Sequence, residues 1–234
     1  MKSFSNLGVL LAVGVTAFVA TPRAFATAEL ILSDGNGHTA TVVASSCGGT
    51  CEVASFNGSL GDWNINVTTG TSTPGESPQM DLNSIDHHNL SATASTLTIK
   101  WSDNAFTPAT AGFQMNIGGT VGAHGTVTAA LYGGNSDTEF DLSHQIGTTM
   151  SFSNPPTSFS GSENAYLSGL SANPYALTEV ATISFGRAAG QASFDFSVDT
   201  IPEPSSVFLL GTVMLLSIGV ICRKVAAGKR SSEV

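Results

Sequence analysis

Apolar residues recur at every second position in several short stretches of the chain. Trp63, Ile65 and Val67 alternate with Asp62, Asn64, Asn66 and Thr68, and Leu97, Ile99 and Trp101 alternate with Thr96, Thr98 and Lys100. Val127, Ala129 and Leu131 follow Gly125, Ala181, Ile183 and Phe185 alternate with Thr182 and Ser184, and Phe194, Phe196 and Val198 alternate with Ser193, Asp195 and Ser197. Successive side chains on a strand point to opposite faces, so a period of two predicts half-buried antiparallel strands, one face on a core and one in water. Turn signals separate the stretches: Asp34-Gly35-Asn36-Gly37, Asn57-Gly58, Gly118-Gly119, Gly133-Gly134-Asn135, Asn154-Pro155-Pro156 and Asn173-Pro174. Short strands, many turns and almost no helical stripe predict an all-β fold, an antiparallel β-sandwich of possible jelly-roll wind, with a barrel as the alternative. Thr68 to Pro78, the least patterned stretch, reads as an exposed loop whose hydroxyls suit O-linked sugar.

The two ends break this pattern. Lys2, the uncharged run Leu7 to Ala20 and then Ala24-Phe25-Ala26 have the layout of a secretory signal peptide cut after Ala26, with an uncleaved anchor as the alternative. Near the other end, Val207 to Cys222 is continuously apolar, slightly short of the roughly 20 residues that span a bilayer core, and a buried helix is the alternative. Arg223 and Lys224 follow it, and with Lys229 and Arg230 they place the tail on the cytoplasmic side and the preceding domain outside. The expected organisation is a signal peptide over 1–26, an acidic β-domain over 27–199, a linker over 200–206, a transmembrane helix over 207–222 and a basic cytoplasmic tail over 223–234.

The linker contains Pro202-Glu203-Pro204. Each proline fixes its own φ and pushes the residue before it toward extended geometry, so the segment is a stiff strip suited to a processing enzyme's groove. Pro-Glu-Pro, an apolar helix and a basic cluster in this order resemble the PEP-CTERM sorting signal of exported bacterial proteins. The resemblance covers Pro202, Glu203, Pro204, the helix and Arg223-Lys224, about thirty residues. It implies recognition by an exosortase, a membrane cysteine transpeptidase, with cleavage near the motif and release or transfer of the domain to the cell exterior. The tail from Val225 to Val234 is longer than a plain basic stop and ends in Glu233-Val234, a departure from the usual abrupt finish. The runs Ser95–Phe106 and Pro174–Phe185 are similar to strand segments of PEP-CTERM proteins without an assigned activity.

Charge narrows the partners. The chain carries a formal net charge of -9, and between the two ends the only basic residues are Lys100 and Arg187. Nucleic acid and other polyanions are poor partners for such a field. Cys47 and Cys51 flank Gly48-Gly49-Thr50, and export would place them where thiols pair, so a small disulfide loop is expected. The glycines permit the tight bend it requires.

No constellation amounts to an active site, and no cofactor or metal ligand set is assigned. Asp86-His87-His88 is the most metal-like cluster, but neighbours on a strand diverge, so a polar turn is expected there. His38, His124 and His144 lack metal-ligand spacing and read as surface residues. Asp137, Glu139 and Asp141 would form a row of carboxylates if they shared one strand, and Asp34-Gly-Asn-Gly is also oxygen-rich. Neither matches the twelve-residue calcium loop, and a solvated acidic face is expected. No Gly-x-Ser-x-Gly elbow or phosphate-cradling loop occurs. The sequence thus points to a non-enzymatic structural or adhesive protein of the cell surface or extracellular matrix. The alternative is a carbohydrate-binding module that attaches to exopolysaccharide through aromatics such as Trp63, Trp101 or Tyr132, the two tryptophans being in step with core positions. A secreted hydrolase is the remaining reading.

Overall fold

The computed structural model describes residues 27–74, 79–89, 93–107, 112–134, 136–155, 157–166, 174–186, 189–201 and 209–218. Ala26, Pro202-Glu203-Pro204 and Arg223-Lys224 lie outside the described residues. Thirteen strands follow one another among the described residues: β1 (Glu29–Ser33), β2 (Thr39–Val43), β3 (Ser45–Gly48), β4 (Cys51–Leu60), β5 (Trp63–Thr73), β6 (Gln79–Asn89), β7 (Ser95–Phe106), β8 (Gly112–Val121), β9 (Gly125–Gly134), β10 (His144–Ser153), β11 (Ser158–Tyr166), β12 (Tyr175–Phe185) and β13 (Gly190–Ile201). All five alternating stretches are strands, and β13 runs two residues past Asp199.

The strands form two antiparallel sheets. Sheet A has the order β10-β9-β12-β7-β1-β2, and sheet B the order β11-β8-β13-β6-β5-β4-β3. From β6 onward the chain crosses between sheets in pairs, giving β6-β13-β8-β11 on one and β7-β12-β9-β10 on the other, the wind of a jelly roll. β2 and β3, consecutive in sequence, occupy the outer edges of opposite sheets, as do β10 and β11 on the other flank.

The inward face of each strand supplies the core. Leu97, Ile99 and Trp101 on β7, Val127, Ala129 and Leu131 on β9, and Ala181, Ile183 and Phe185 on β12 face Trp63, Ile65, Met80, Leu82, Phe113, Met115, Phe194, Phe196 and Val198 from sheet B. Trp63 and Trp101 are both 0% exposed. Trp101 Nε1 donates to the Thr71 carbonyl at 3.0 Å, so the indole's one polar atom is satisfied inside the core.

Three local readings differ from the sequence-based expectation, and glycine explains two of them. Thr68 to Thr73 belongs to β5 rather than to a loop, and Thr68, Gly70 and Ser72 are buried. A Cβ on Gly70 would lie 2.3 Å from Cδ2 of Trp101, so this glycine is the space that the indole occupies. Substitution Gly70→Ala is expected to destabilise the domain by about 3 kcal/mol, read as a fall in the chemical denaturation midpoint at unchanged slope. Gly118-Gly119 lies within β8, and Asn57-Gly58 lies within β4 at a register shift opposite Thr68 and Ile65, with Gly58 at φ 146°. His87 and His88 are consecutive strand positions in β6, opposite Ile65 and Asn64, and not a turn.

Candidate functional site on the outer face of sheet B

The outward positions of sheet B line up in register as polar rows. Across β11, β8, β13, β6, β5 and β4 one row reads Ser160, Gly118, Asp195, Asn83, Thr69 and Ser55. The next reads Ser162, Asn116, Ser197, Asp81, Thr71 and Val53, and a third reads Asn164, Gln114, Asp199, Gln79 and Thr73. Strand alternation fixes this composition, since these positions alternate along each strand with the ones that face the other sheet.

The face is hollowed where side chains are small. A cavity of about 680 Å³ opens between β11, β8, β13 and β6, lined by Asn83, Asn116, Gly118, Ser160, Ser193, Asp195 and Ser197. A second hollow of about 360 Å³ adjoins it through Ser197 and is lined by Thr71, Thr73, Gln79, Asp81 and Asp199. Together they form a trough crossing five strands. Gly118 has no backbone or side-chain atom closer than 3.8 Å to where a Cβ would stand, so it leaves open floor. Gly119, its inward neighbour, has the Ser193 carbonyl oxygen 2.1 Å from that point, so it is a close approach of two strands.

The trough walls are partly pre-bonded. Ser162 Oγ donates to Asn116 Oδ1 at 2.8 Å, which orients the Asn116 amide. Gln79 Nε2 donates to Asp199 Oδ1 at 3.1 Å, and the Thr120 and Ser193 hydroxyls share a bond of 2.9 Å. Asp81 is pushed up to about 7, first by burial, then by its hydrogen bond with Asp195 and the charges of Asp195 and Asp199.

The residues singled out from sequence are distributed differently. Cys47 and Cys51 form a disulfide at the β3–β4 turn with Cα atoms 5.2 Å apart, and Gly48 and Gly49 take φ 112° and 63° to make the bend. Asp137, Glu139 and Asp141 do not share a strand, because 136–143 is an irregular segment between β9 and β10. The Asp34 turn is closed on itself: Oδ1 accepts from the Asn36 and His38 amides, and Oδ2 lies 2.6 Å from His38 Nδ1. Burial alone would raise the Asp34 carboxyl, but these bonds and the His38 charge hold it below its ordinary value. His124 is exposed and His144 half-buried beside the Ser143 hydroxyl.

The aromatic expectation is also redistributed. Trp63 and Trp101 are core, and Tyr132 is half-buried on sheet A. Sequence reasoning passed over Tyr166, 61% exposed at the end of β11, in step with Ser160, Ser162 and Asn164 on the outer face. Its signal was present in the alternation of Ser158 to Tyr166, whose inward partners Phe159, Gly161, Glu163 and Ala165 are a weak apolar set.

Residues 209–218 form a helix whose large apolar side chains are 51–71% exposed. Thr212 and Ser217 return their hydroxyls to the Leu209 and Val213 carbonyls, at 2.8 and 2.7 Å. Among the described residues no helix is long and apolar enough to cross a membrane.

No family model matches the chain, and no curated protein matches it. Among solved structures it is similar to the module TmCBM61 in complex with β-1,4-galactotriose, at 8% identity over 74% of this chain and 88% of that one, with a TM-score of 0.35. It is also similar to a structure from a study of promiscuous specificity in carbohydrate-binding modules of the β-sandwich superfamily, at 11% identity over 77% of this chain and 86% of that one, with a TM-score of 0.33.

Proposed function

We propose that the chain is an exported, non-catalytic adhesive protein whose trough on sheet B holds a neutral polysaccharide strand. The observation that supports this most is the composition of that trough: amide, hydroxyl and carboxylate groups in register around an open glycine floor. Sugar hydroxyls donate and accept at once, so they are matched by Asn, Gln and Asp side chains, while their apolar ring faces stack on exposed aromatics. Asn83, Asn116 and Asp195 would carry the hydrogen bonds, and Tyr166 offers a ring at the open end of the same face. The aspartates Asp81, Asp195 and Asp199 disfavour an anionic glycan, which narrows the exopolysaccharide to an uncharged one.

Delivery belongs to the same proposal. The Pro202-Glu203-Pro204 strip, the apolar helix and Arg223-Lys224 act as an exosortase sorting signal, which holds the precursor in the inner membrane until cleavage frees the domain to the cell surface or matrix. The large apolar side chains of the 209–218 helix are exposed, and a bilayer is the environment that suits them.

Affinity electrophoresis in gels cast with neutral or anionic polysaccharides tests the binding. Retardation by a neutral polymer, reduced tenfold or more in Asn116→Ala and Asp195→Ala at unchanged melting temperature, is the expected result. Migration identical in every gel would leave a purely structural role. For delivery, the mature product's intact mass should end near Pro204 and revert to full length in cells lacking the transpeptidase. A full-length tail in both strains would refute the sorting step.

A further inference from the structure

Among the described residues, β2 is the border strand that carries nothing to stop another backbone from pairing with it. It closes sheet A beside β1, runs Thr39–Val43 with no shift of register, and contains no charge and no proline. The other three borders are each blocked. β3 shifts register between Ser46 and Gly48 and ends in the disulfide turn, and β10 is broken between Ile146 and Met150. β11 carries an inward acid, Glu163, tied to the amide and hydroxyl of Thr148 on β10. Bulges and inward charges are devices that keep sheet borders from pairing, and β2 has neither.

The hydrogen-bond parity of β2 fixes what its free side offers. The Asp34 amide donates to the His38 carbonyl at 3.2 Å and the Ala44 amide to the Ala28 carbonyl at 2.8 Å, one bonded pair at each end of the β1–β2 ladder. Bonded and non-bonded pairs alternate along an antiparallel ladder, so Ala40 and Val42 turn their backbone groups to Leu32 and Leu30 of β1. Thr39, Thr41 and Val43 therefore aim their N–H and C=O groups away from the sheet. None of these groups has a partner among the described residues, and the Val43 side chain is 57% exposed beside them.

We propose that this edge pairs with the same edge of a second copy of the chain, antiparallel about a twofold axis at Thr41. The strand is its own complement. With Thr41 opposite Thr41 of the second copy, Thr39 stands opposite Val43, and the outward residues of the two strands exchange both of their backbone bonds. Between these pairs Ala40 meets Val42 of the second copy. Both already pack at the margin of the core, so pairing carries that apolar layer across the join. In a chain of net charge -9, an uncharged edge is also where two copies approach with least repulsion. Pairing occupies the unblocked border of both copies, so it stops at two. An edge of five residues is small against the roughly 1,000 Å² of a standing interface, so the association is weak, with a dissociation constant on the order of 100 µM. A twofold axis normal to sheet A leaves both sheet B troughs on the same side of the pair, but the pairing does not depend on what the trough binds.

Sedimentation of the full chain in detergent, from about 10 to about 500 µM, tests the pairing. A monomer–dimer equilibrium is expected, weakened about fivefold or more by Thr41→Lys and by Thr41→Glu, since each puts like charges opposite one another on the axis. Thr41 is exposed, so neither variant should lower the melting temperature. An equal mixture of the two should pair at least as tightly as the parent. Thr41→Pro, which removes the central amide donor and leaves the β1 ladder intact, should abolish pairing, and Thr128→Lys, in the interior of sheet A, should leave it unchanged. A parent chain still monomeric at the highest concentration would leave the edge to a foreign strand and overturn the assignment. So would a dimer that neither charge at Thr41 weakens, or a mixture that pairs no better than its components.

Discussion

Replacing Glu179 by methionine should make the domain more stable, and more so at pH 8 than at pH 5. Glu179 faces the core from β12, opposite Trp101 and Leu131, and is 0% exposed. Neither of its carboxyl oxygens has a hydrogen-bond partner. Burial raises its pKa well above the ordinary value, and the charges of Asp81, Asp195 and Asp199 raise it further. The folded state therefore holds a proton that the unfolded chain releases near its ordinary pKa, so stability falls as pH climbs above about 4.5 and continues to fall until the buried acid ionises. Asp81, pushed up to about 7, adds a decline of the same sign between about pH 4 and 7.

Methionine fills a similar volume with a flexible apolar chain and removes both the unsatisfied oxygens and the ionisation. The gain should be about 2 kcal/mol at pH 8, or roughly 5 °C in melting temperature for a domain of this size, and less at pH 5. Glu179→Gln separates the two contributions, since it removes Glu179's share of the pH slope and leaves the unpaired polar atoms in place. Calorimetry at the two pH values reads both variants. A methionine variant that melts below the parent at both would mean that Glu179 has a role in the core that its geometry does not reveal.

Two adjacent glycines in β8 should respond in opposite ways. In Gly118→Val the added carbons enter open trough, with the nearest atom, the Phe159 carbonyl oxygen, 3.8 Å from the new Cβ. Binding of a neutral polysaccharide should drop at least tenfold while the melting temperature stays within about 2 °C, because a β-branched residue suits a strand. In Gly119→Ala the new Cβ meets the Ser193 carbonyl oxygen at 2.1 Å and the Phe194 Cα at 2.9 Å, contacts that only a backbone shift can relieve. About 3 kcal/mol of stability should be lost, as seen in denaturant titration. Unchanged polysaccharide binding in Gly118→Val would remove the trough from the binding role.

The strands were legible because a half-buried sheet writes its period of two directly into the chain. Trp63-Ile65 and Phe194-Phe196-Val198 are inward positions in sequence and in space. The glycines misled for a physical reason. Gly70, Gly118 and Gly119 have the composition of turns, yet they sit in strands: Gly70 lies beneath an indole, Gly119 meets a neighbouring backbone and Gly118 floors a cavity. The Cys47–Cys51 bond was readable from spacing and two glycines. The trough was not, because Ser160, Asn116, Asp195 and Asn83 come from four strands far apart in sequence and look, one at a time, like ordinary solvated positions. Pairing register brings them together, and no local pattern encodes it. Glu179 carries a similar lesson, since an acid in step with Ala181 and Ile183 announces burial only once β12 is known to lie between β7 and β9.

The flanks of the sandwich bear on how the protein behaves at high concentration. β3 is only four residues long and ends in the disulfide turn, while β10 is broken between Ile146 and Met150 with Gly147 at φ 73°. On the β10–β11 flank, Glu163 accepts from both the amide and the hydroxyl of Thr148, at 3.0 and 2.7 Å. Short, bent or cross-tied borders are poor templates for another chain's backbone, so neighbouring particles are kept from zipping into fibrils and stay separate even when crowded.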